Sequence, residues 1–462
     1  MLSKPIKSLE TSRVKLSFTG KAMTAYGGFA VLAKLFEKLD LRENIAQIIP
    51  FQELSPNSTG VYAKVIRFGL TVLAGGRRFS HTMFLGDSLE IYEAEFAIKR
   101  IPKSITAVTR FFGRIKSFQF GERLSSKLWA YLIDKVIPFS EIGSDYLSID
   151  SSVITRYGEQ EGAALGYNPK KKGRPSHHPL LAFLNRSKYV VNLWTRSGDT
   201  GSGNGALEFL SQTWQRISAR IKILGVLCDS GFYRLDLIKF IEGKLTPYVI
   251  AARVMAPLQR AIAEIKEWKE VDRNIEVAEF QFQHDKWECK RRYIVVRQRI
   301  VLGKRTPSGK QLSLFKEDKN INSYRYGCFI TSHTEDPETV WRTYRLRAGD
   351  EGIIRENKED FALDGFSPEK FYAVEAAMLI RILFYNIINL FRSKILPEKE
   401  HRLTLHTLRM KYLLIPAVLG RDAKGIILRL GIRAQNAREK IRWIIRRIDD
   451  LYPKCNASGL AV

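Results

Sequence analysis

Asp150 and Asp229 each close a short apolar run, Tyr146–Ile149 and Ile223–Cys228, that reads as a buried strand. A carboxylate at the mouth of a sheet is held rigidly and poorly solvated, which suits a hard divalent cation. Aspartate after a strand is also an ordinary turn residue, and Asp229-Ser230-Gly231 is a turn signal, so neither position is diagnostic alone. A third acid, Glu351, lies in a segment with more specific spacing. Tyr344, Arg347, Glu351 and Lys358 are separated by three, four and seven residues. At about 100° per residue these four fall within roughly 60° of arc on one helix face. A phenol, a guanidinium, a carboxylate and an ammonium in line suit a place where metal meets phosphate. The alternative is a surface helix carrying an Arg347–Glu351 pair worth roughly a few tenths of a kcal/mol.

The flanking pattern predicts a scaffold for these groups. Pro179–Leu184 and Tyr189–Trp194 read as a hairpin around Asn185-Arg186-Ser187-Lys188. A helix over 206–221, the strand before Asp229, a helix over 235–242 and a strand over 248–254 follow. Three strands, then helix, strand, helix, strand imply a mixed α/β sheet. Residues 255–327 interrupt that order and read as an insertion: helical over 255–268, strand-like over 291–301, with a polar loop at Gly303–Lys310. A strand over 326–331 and one long helix over 337–359 come next. Residues 1–140 read as mostly helical, with amphipathic stretches over 26–41, 59–74 and 122–136 and Asn57-Ser58-Thr59 as a cap for the second. Ile105–Ser117 is a short basic helix, either a solvated face or a DNA-reading element. Residues 366–462 read as helical and basic, with twelve Lys or Arg against two acids between Arg402 and Arg447.

Composition narrows the class. The 462 residues contain 75 Lys plus Arg against 48 Asp plus Glu, a formal charge of +27 that attracts polyanions, nucleic acid foremost. The four cysteines form no CxxC pair, which gives no support to a zinc knuckle or a disulfide framework and fits a reducing cytoplasm. The first residues lack the apolar core of a secretory signal. The longest apolar segment, Tyr372–Phe391, carries Glu375 and Arg381, so it reads as a buried helix and not a membrane span. Lys171, Lys172 and Arg174 lie on a loop between Asp150 and the hairpin, where they either contact phosphate or are merely solvated. His177 and His178 beside it read as structural more readily than catalytic. Trp287 reads as packing more readily than as a base-stacking ring.

The pattern Tyr-x-x-Arg-x-x-x-Glu-x-x-x-x-x-x-Lys resembles the signature of the DDE insertion-sequence transposases. Leu147–Ser152, Gly158–Ala163, Cys228–Phe232 and the stretch Leu16–Leu41 resemble one subgroup of them. The resemblance implies an α/β, RNase H-like mixed sheet with an insertion, flanked by helical N- and C-terminal regions. It divides the chain into an N-terminal DNA-binding or assembly region (1–140), a first part of the catalytic core (141–254), the insertion (255–327), a last part of the core with the third acid (328–365) and a C-terminal region (366–462). It makes Asp150, Asp229 and Glu351 catalytic and metal-binding, for two Mg2+ ions (or Mn2+) about 3.5–4 Å apart. Asp350 and Glu356 are near neighbours of the third acid, but only Glu351 fits the spacing. Tyr344, Arg347 and Lys358 would bind DNA phosphate, with Tyr344 alternatively stacking on a displaced base. The partners implied are double-stranded DNA, as terminal inverted repeats and target, and a second copy in a homodimeric DNA complex, with no membrane. The location implied is the bacterial cytoplasm, on the nucleoid when bound. Two other readings stay open: an RNase H-like nuclease without strand transfer, and a catalytically inactive DNA-binding derivative.

Overall fold

Leu147 and Ile149 alternate with Ser148 and Asp150, so the segment is apolar on one face and polar on the other. It forms strand β1 (Ser144–Ser151) in the interior of a nine-stranded sheet, third from one edge. The computed structural model describes residues 18–53, 55, 57–299, 324–423 and 425–452, together with the backbone of 10–11 and 14–15. Beside β1 lies the antiparallel hairpin of β2 (Leu180–Leu184) and β3 (Val190–Trp194). On its other side β4 (Lys222–Cys228) and then β5 (Tyr248–Ala251) run parallel to it. Helices Ala206–Ile217 and Leu235–Gly243 carry the chain from β3 to β4 and from β4 to β5. The order β3-β2-β1-β4-β5, three antiparallel strands followed by two parallel ones, is the RNase H-like arrangement.

The sheet continues beyond β5. After a helix, Ala256–Ala263, the chain forms β6 (Lys269–Asp272), β7 (Ile275–Phe282), β8 (Arg291–Arg299) and β9 (Tyr324–Thr331). These extend the same sheet in the order β5-β9-β8-β7-β6, all antiparallel. The helix expected over 255–268 therefore stops early, and β6 and β7 were not foreseen. Their Lys, Glu and Gln residues obscure the strand pattern because β6 is an exposed edge. The expected Gly303–Lys310 loop lies outside the described residues.

The helix Phe371–Leu390 is apolar on all sides, and such a helix belongs in the middle of a core. Its length and composition would also fit a membrane, but most of its surface is covered by protein. Helices Val61–Leu73, Ile105–Gly113 and Phe118–Tyr131 pack around it, and β3 borders it. Arg381 is buried within it and donates to the carbonyls of Ala377, Ala362 and Gly365, which replace its lost water. In Ile105–Gly113, Ser104 caps the first turn and Val108, Phe111 and Phe112 face the core, leaving Thr106 and Arg110 towards solvent.

Three expectations are corrected. Val61–Leu73 is entered through Gly60 at φ +81°, with Ser58 accepting the Gly60 N–H, and not through a Thr59 cap. The C-terminal region is not all helical: Ala417–Asp422 and Gly425–Leu430 form a hairpin that pairs with Met23–Thr24. Gly425 at φ +124° makes its turn, and the aliphatic run that follows favours strand over helix. The long helix over 337–359 is two helices, Pro337–Tyr344 and Ala348–Glu359, joined by a 3-10 turn at Arg345–Arg347.

The tightest helix crossing yields a prediction. A Cβ added at Gly69 would come within 2.0 Å of the buried Phe384 ring. Gly69→Ala gains up to about 1 kcal/mol of helix propensity, while overpacking a core costs about 1–3 kcal/mol. Urea unfolding should show a net loss of stability; a gain would mean that the two helices separate freely.

Candidate active site

Two parallel strands set the geometry. The register of β1 and β4 places Ile149 opposite Cys228, so the next pair along the strands is Asp150 and Asp229. The Asp150 side chain is 12% exposed, whereas that of Asp229 retains 38%. Asp229 also caps the turn Ser230–Phe232, accepting the Gly231 N–H at 2.8 Å, which fixes its carboxylate. Arg347 reaches between the two acids. Its Nη2 lies 2.8 Å from Asp150 Oδ2 and 3.6 Å from Asp229 Oδ2. The Arg347–Glu351 surface pair is therefore not formed; the guanidinium turns inward to the strand ends.

Burial pushes the Asp150 carboxyl up to about 6, and the charges of Asp229 and Glu351 push in the same direction, against the pull of Arg347 and the Ser151 N–H. Desolvation thus outweighs the one guanidinium, and the ionised form of Asp150 is left under-stabilised. Arg347 Nε is itself buried without a partner. Hard carboxylate oxygens, crowded together and under-stabilised, fit a divalent cation. No group of three metal-capable side chains is preassembled among the described residues. Glu351 accounts for that: it is exposed and makes no hydrogen bond or ion pair among them, although its charge acts on Asp150.

Asp350, next to it, has a different task. It is fully buried, accepts from Ser148 Oγ of β1 and from Asn185 Nδ2 at 2.8 Å, and burial raises its carboxyl to about 7. Asn185 also donates to Ser148 Oγ at 3.1 Å, closing the network. This contact docks the Ala348–Glu359 helix on β1 and sets where Arg347 and Glu351 emerge. Glu356 is engaged elsewhere, with Arg392 at 2.7 Å and the Leu405 N–H at 2.9 Å. Sequence reasoning noted both acids only as neighbours of Glu351. The missed signal was Ser148, a polar residue two positions before Asp150 and so on the same face of β1.

The other predicted residues are distributed as follows. Lys358 Nζ donates to the Val153 carbonyl at 2.9 Å, and burial followed by the charge of Lys170 holds its pKa below the usual lysine range. Lys171, Lys172 and Arg174 are exposed on the loop that includes Lys170 and do not contact the acids. The Tyr344 ring packs on Phe329 with 4.4 Å between centroids, and burial raises its hydroxyl to about 12. The signature straddles the 3-10 turn: Arg347 and Lys358 turn to the strand ends, and Tyr344 packs its ring on Phe329 of β9 with its hydroxyl within reach of the charges of Arg347 and Asp229. His178 Nδ1 donates to the Thr200 carbonyl at 2.7 Å, its Nε2 lies 3.0 Å from Ser151 Oγ, and burial pushes its pKa below the ordinary imidazole value. His177 is buried, held by Arg156 Nε and the Glu161 carbonyl at 3.0 Å each, with its pKa pushed down to about 4. Trp287 packs with Tyr233 and His284 under the Arg291 guanidinium.

The chain belongs to the family Transposase DDE domain group 1, whose model matches residues 6–451. Among solved structures, it is similar to a piggyBac transposase synaptic complex with hairpin DNA, at 12% identity and a TM-score of 0.44, over 92% of this chain and 83% of that one. No curated protein matches it.

The anchoring network is open to test by pH. The folded value of Asp350, about 7, lies above the ordinary 3.8 of an unfolded chain. Its contribution to stability is therefore complete at pH values below the unfolded one and is lost as pH rises towards 7. In the absence of divalent ions, Asp350→Asn should remove that slope from the urea-unfolding free energy. Asp350→Ala should cost about 1–3 kcal/mol at pH 5, because it leaves Ser148 and Asn185 unpaired. An unchanged slope in Asp350→Asn would show that the network does not hold the helix.

Proposed function

We propose that this DDE transposase cleaves the ends of its insertion sequence and joins them to target DNA, with Asp150, Asp229 and Glu351 as the acids of the site. The observation that carries the reading is the pairing of Asp150 and Asp229 on adjacent parallel strands with Arg347 across both. Asp150 and Asp229 would hold the divalent ions, Mg2+ or Mn2+ with two expected, and Glu351, exposed on its helix, would complete the set. When bound, such ions supply activation of the attacking water or 3′-hydroxyl and neutralisation of the leaving oxygen in an in-line displacement.

The protein's own groups position the DNA. Arg347 is anchored by two carboxylates, and a phosphate can compete for the same planar donors in bidentate fashion. Lys358 sits close behind β1, where its ammonium adds positive charge without entering the acid pair. Lys171, Lys172 and Arg174 present a basic surface to the duplex backbone, a contact expected to weaken with salt. The Tyr344 ring is committed to Phe329, so its hydroxyl is the part left for a phosphate. Two transposon ends must be held at once, which favours a homodimer on terminal inverted repeats and target DNA.

Asp229→Asn keeps the shape of the turn and removes one ionisable ligand. With Mg2+ and the terminal DNA that flanks the gene, this variant should lose end cleavage by at least about a hundredfold, roughly 2.7 kcal/mol of barrier. Undiminished Mg2+-dependent cleavage would refute the assignment. Supplying a precleaved 3′-hydroxyl end and a target plasmid should give joined product with the wild type; a nuclease without strand transfer would give none.

A further inference from the structure

The loop over residues 157–174 is tied down along its length. At its base, Ile154–Thr155 pairs with Ser176–His177 and Arg156 N–H donates to the Pro175 carbonyl at 2.8 Å. In its middle, Ala164 and Ser176 exchange backbone hydrogen bonds at 3.2 and 2.9 Å. Towards its tip, the buried Asn168 donates to Thr155 Oγ1 and accepts from the Lys171 N–H, both at 3.0 Å. Yet this ordered loop leaves Tyr157 73% and Tyr167 75% exposed. Neither ring is used to fill the core. Lys170, Lys171, Lys172 and Arg174 are exposed on the same loop, and the Arg174 guanidinium lies 5.8 Å from the centroid of Tyr157.

The loop adjoins the acid site. The charge of Lys170 reaches Lys358, whose Nζ holds the Val153 carbonyl just past Asp150. Rigidly presented rings interleaved with cations match the two chemical features of a DNA strand that has lost its pairing: the base face and the phosphate. Inside a duplex both faces of a base are covered by its neighbours, so paired DNA away from its end would use only the lysines.

We propose that Tyr157 and Tyr167 stack on unpaired bases of a DNA end beside the carboxylates, while the basic residues of the loop track its phosphates. This rests on the proposed function and adds to it the form of DNA that the site takes.

The test uses the full chain without divalent ions and two probes: gene-flanking terminal DNA fully paired, and the same DNA with a short unpaired end carrying 2-aminopurine. The wild type should bind the unpaired end more tightly and change the 2-aminopurine fluorescence. Tyr157→Ala with Tyr167→Ala should lose that preference by about tenfold or more, with binding of paired DNA unchanged; Trp at both positions should restore it. Lys171→Gln with Lys172→Gln should weaken both probes alike and lower the salt dependence by about 0.7–0.9 for each charge removed. A double Ala variant that keeps the preference and the fluorescence change, or that loses both probes equally, overturns the proposal. A wild type that binds neither probe overturns the proposed function itself, and this inference with it.

Discussion

Asp150 and Asp229 are neighbours because two parallel strands lie in register, and their like charges are kept together by one shared guanidinium. Burial dominates this corner: it holds the Asp150 carboxyl above its ordinary range although the pull of Arg347 exceeds the push of the Asp229 charge. The rest of the architecture serves this arrangement. The parallel strands need crossover helices, the helices need a core, and Arg347 needs a chain segment that brings it back to the strand ends from nearly two hundred residues away.

That return is made by Asp350. A buried carboxyl bonded to Ser148 and Asn185 ties the last core helix to β1 and β2, so the arginine before it and the glutamate after it have defined exits. The 3-10 turn at Arg345–Arg347 is part of the same device. It separates a helix packed on β5, β7 and β8, with Tyr344 on Phe329 of β9, from one docked on β1. β6 to β9 widen the sheet on the side away from the β2–β3 hairpin and give Tyr344 the surface it packs on. On the hairpin side, the buried Phe371–Leu390 helix joins the sheet to the N-terminal helices: Asn386 hydrogen-bonds both backbone groups of Val190 in β3.

Much of this was legible in the residues. The central strands announce themselves because they are buried and apolar, and their order with the two crossover helices determines the sheet. Asp150, Asp229 and Arg347 could be singled out because strand ends and a spaced signature are local features. The break in the signature helix was not legible: Arg345-Leu346-Arg347 favours helix as much as its neighbours do, and the turn is imposed by Asp350 docking across the fold. Ser148 and Asn185 were missed for the same reason, since their partner lies more than 160 residues away in sequence. The edge strand β6 and its neighbour β7 escaped because charged residues alternate on exposed faces. The exposure of Tyr157 and Tyr167 could not be read at all, because composition does not distinguish a ring packed inward from one presented outward.

In the proposed mechanism Asp150 and Asp229 form a cation site beside Arg347. Mn2+ binding followed by electron paramagnetic resonance, with terminal DNA present, tests it most directly because it needs no turnover. The account predicts saturable Mn2+ binding by the wild type, with severe loss in both Asp150→Asn and Asp229→Asn while the fold and DNA binding persist. Mn2+ binding that is equally tight in the two variants would contradict it.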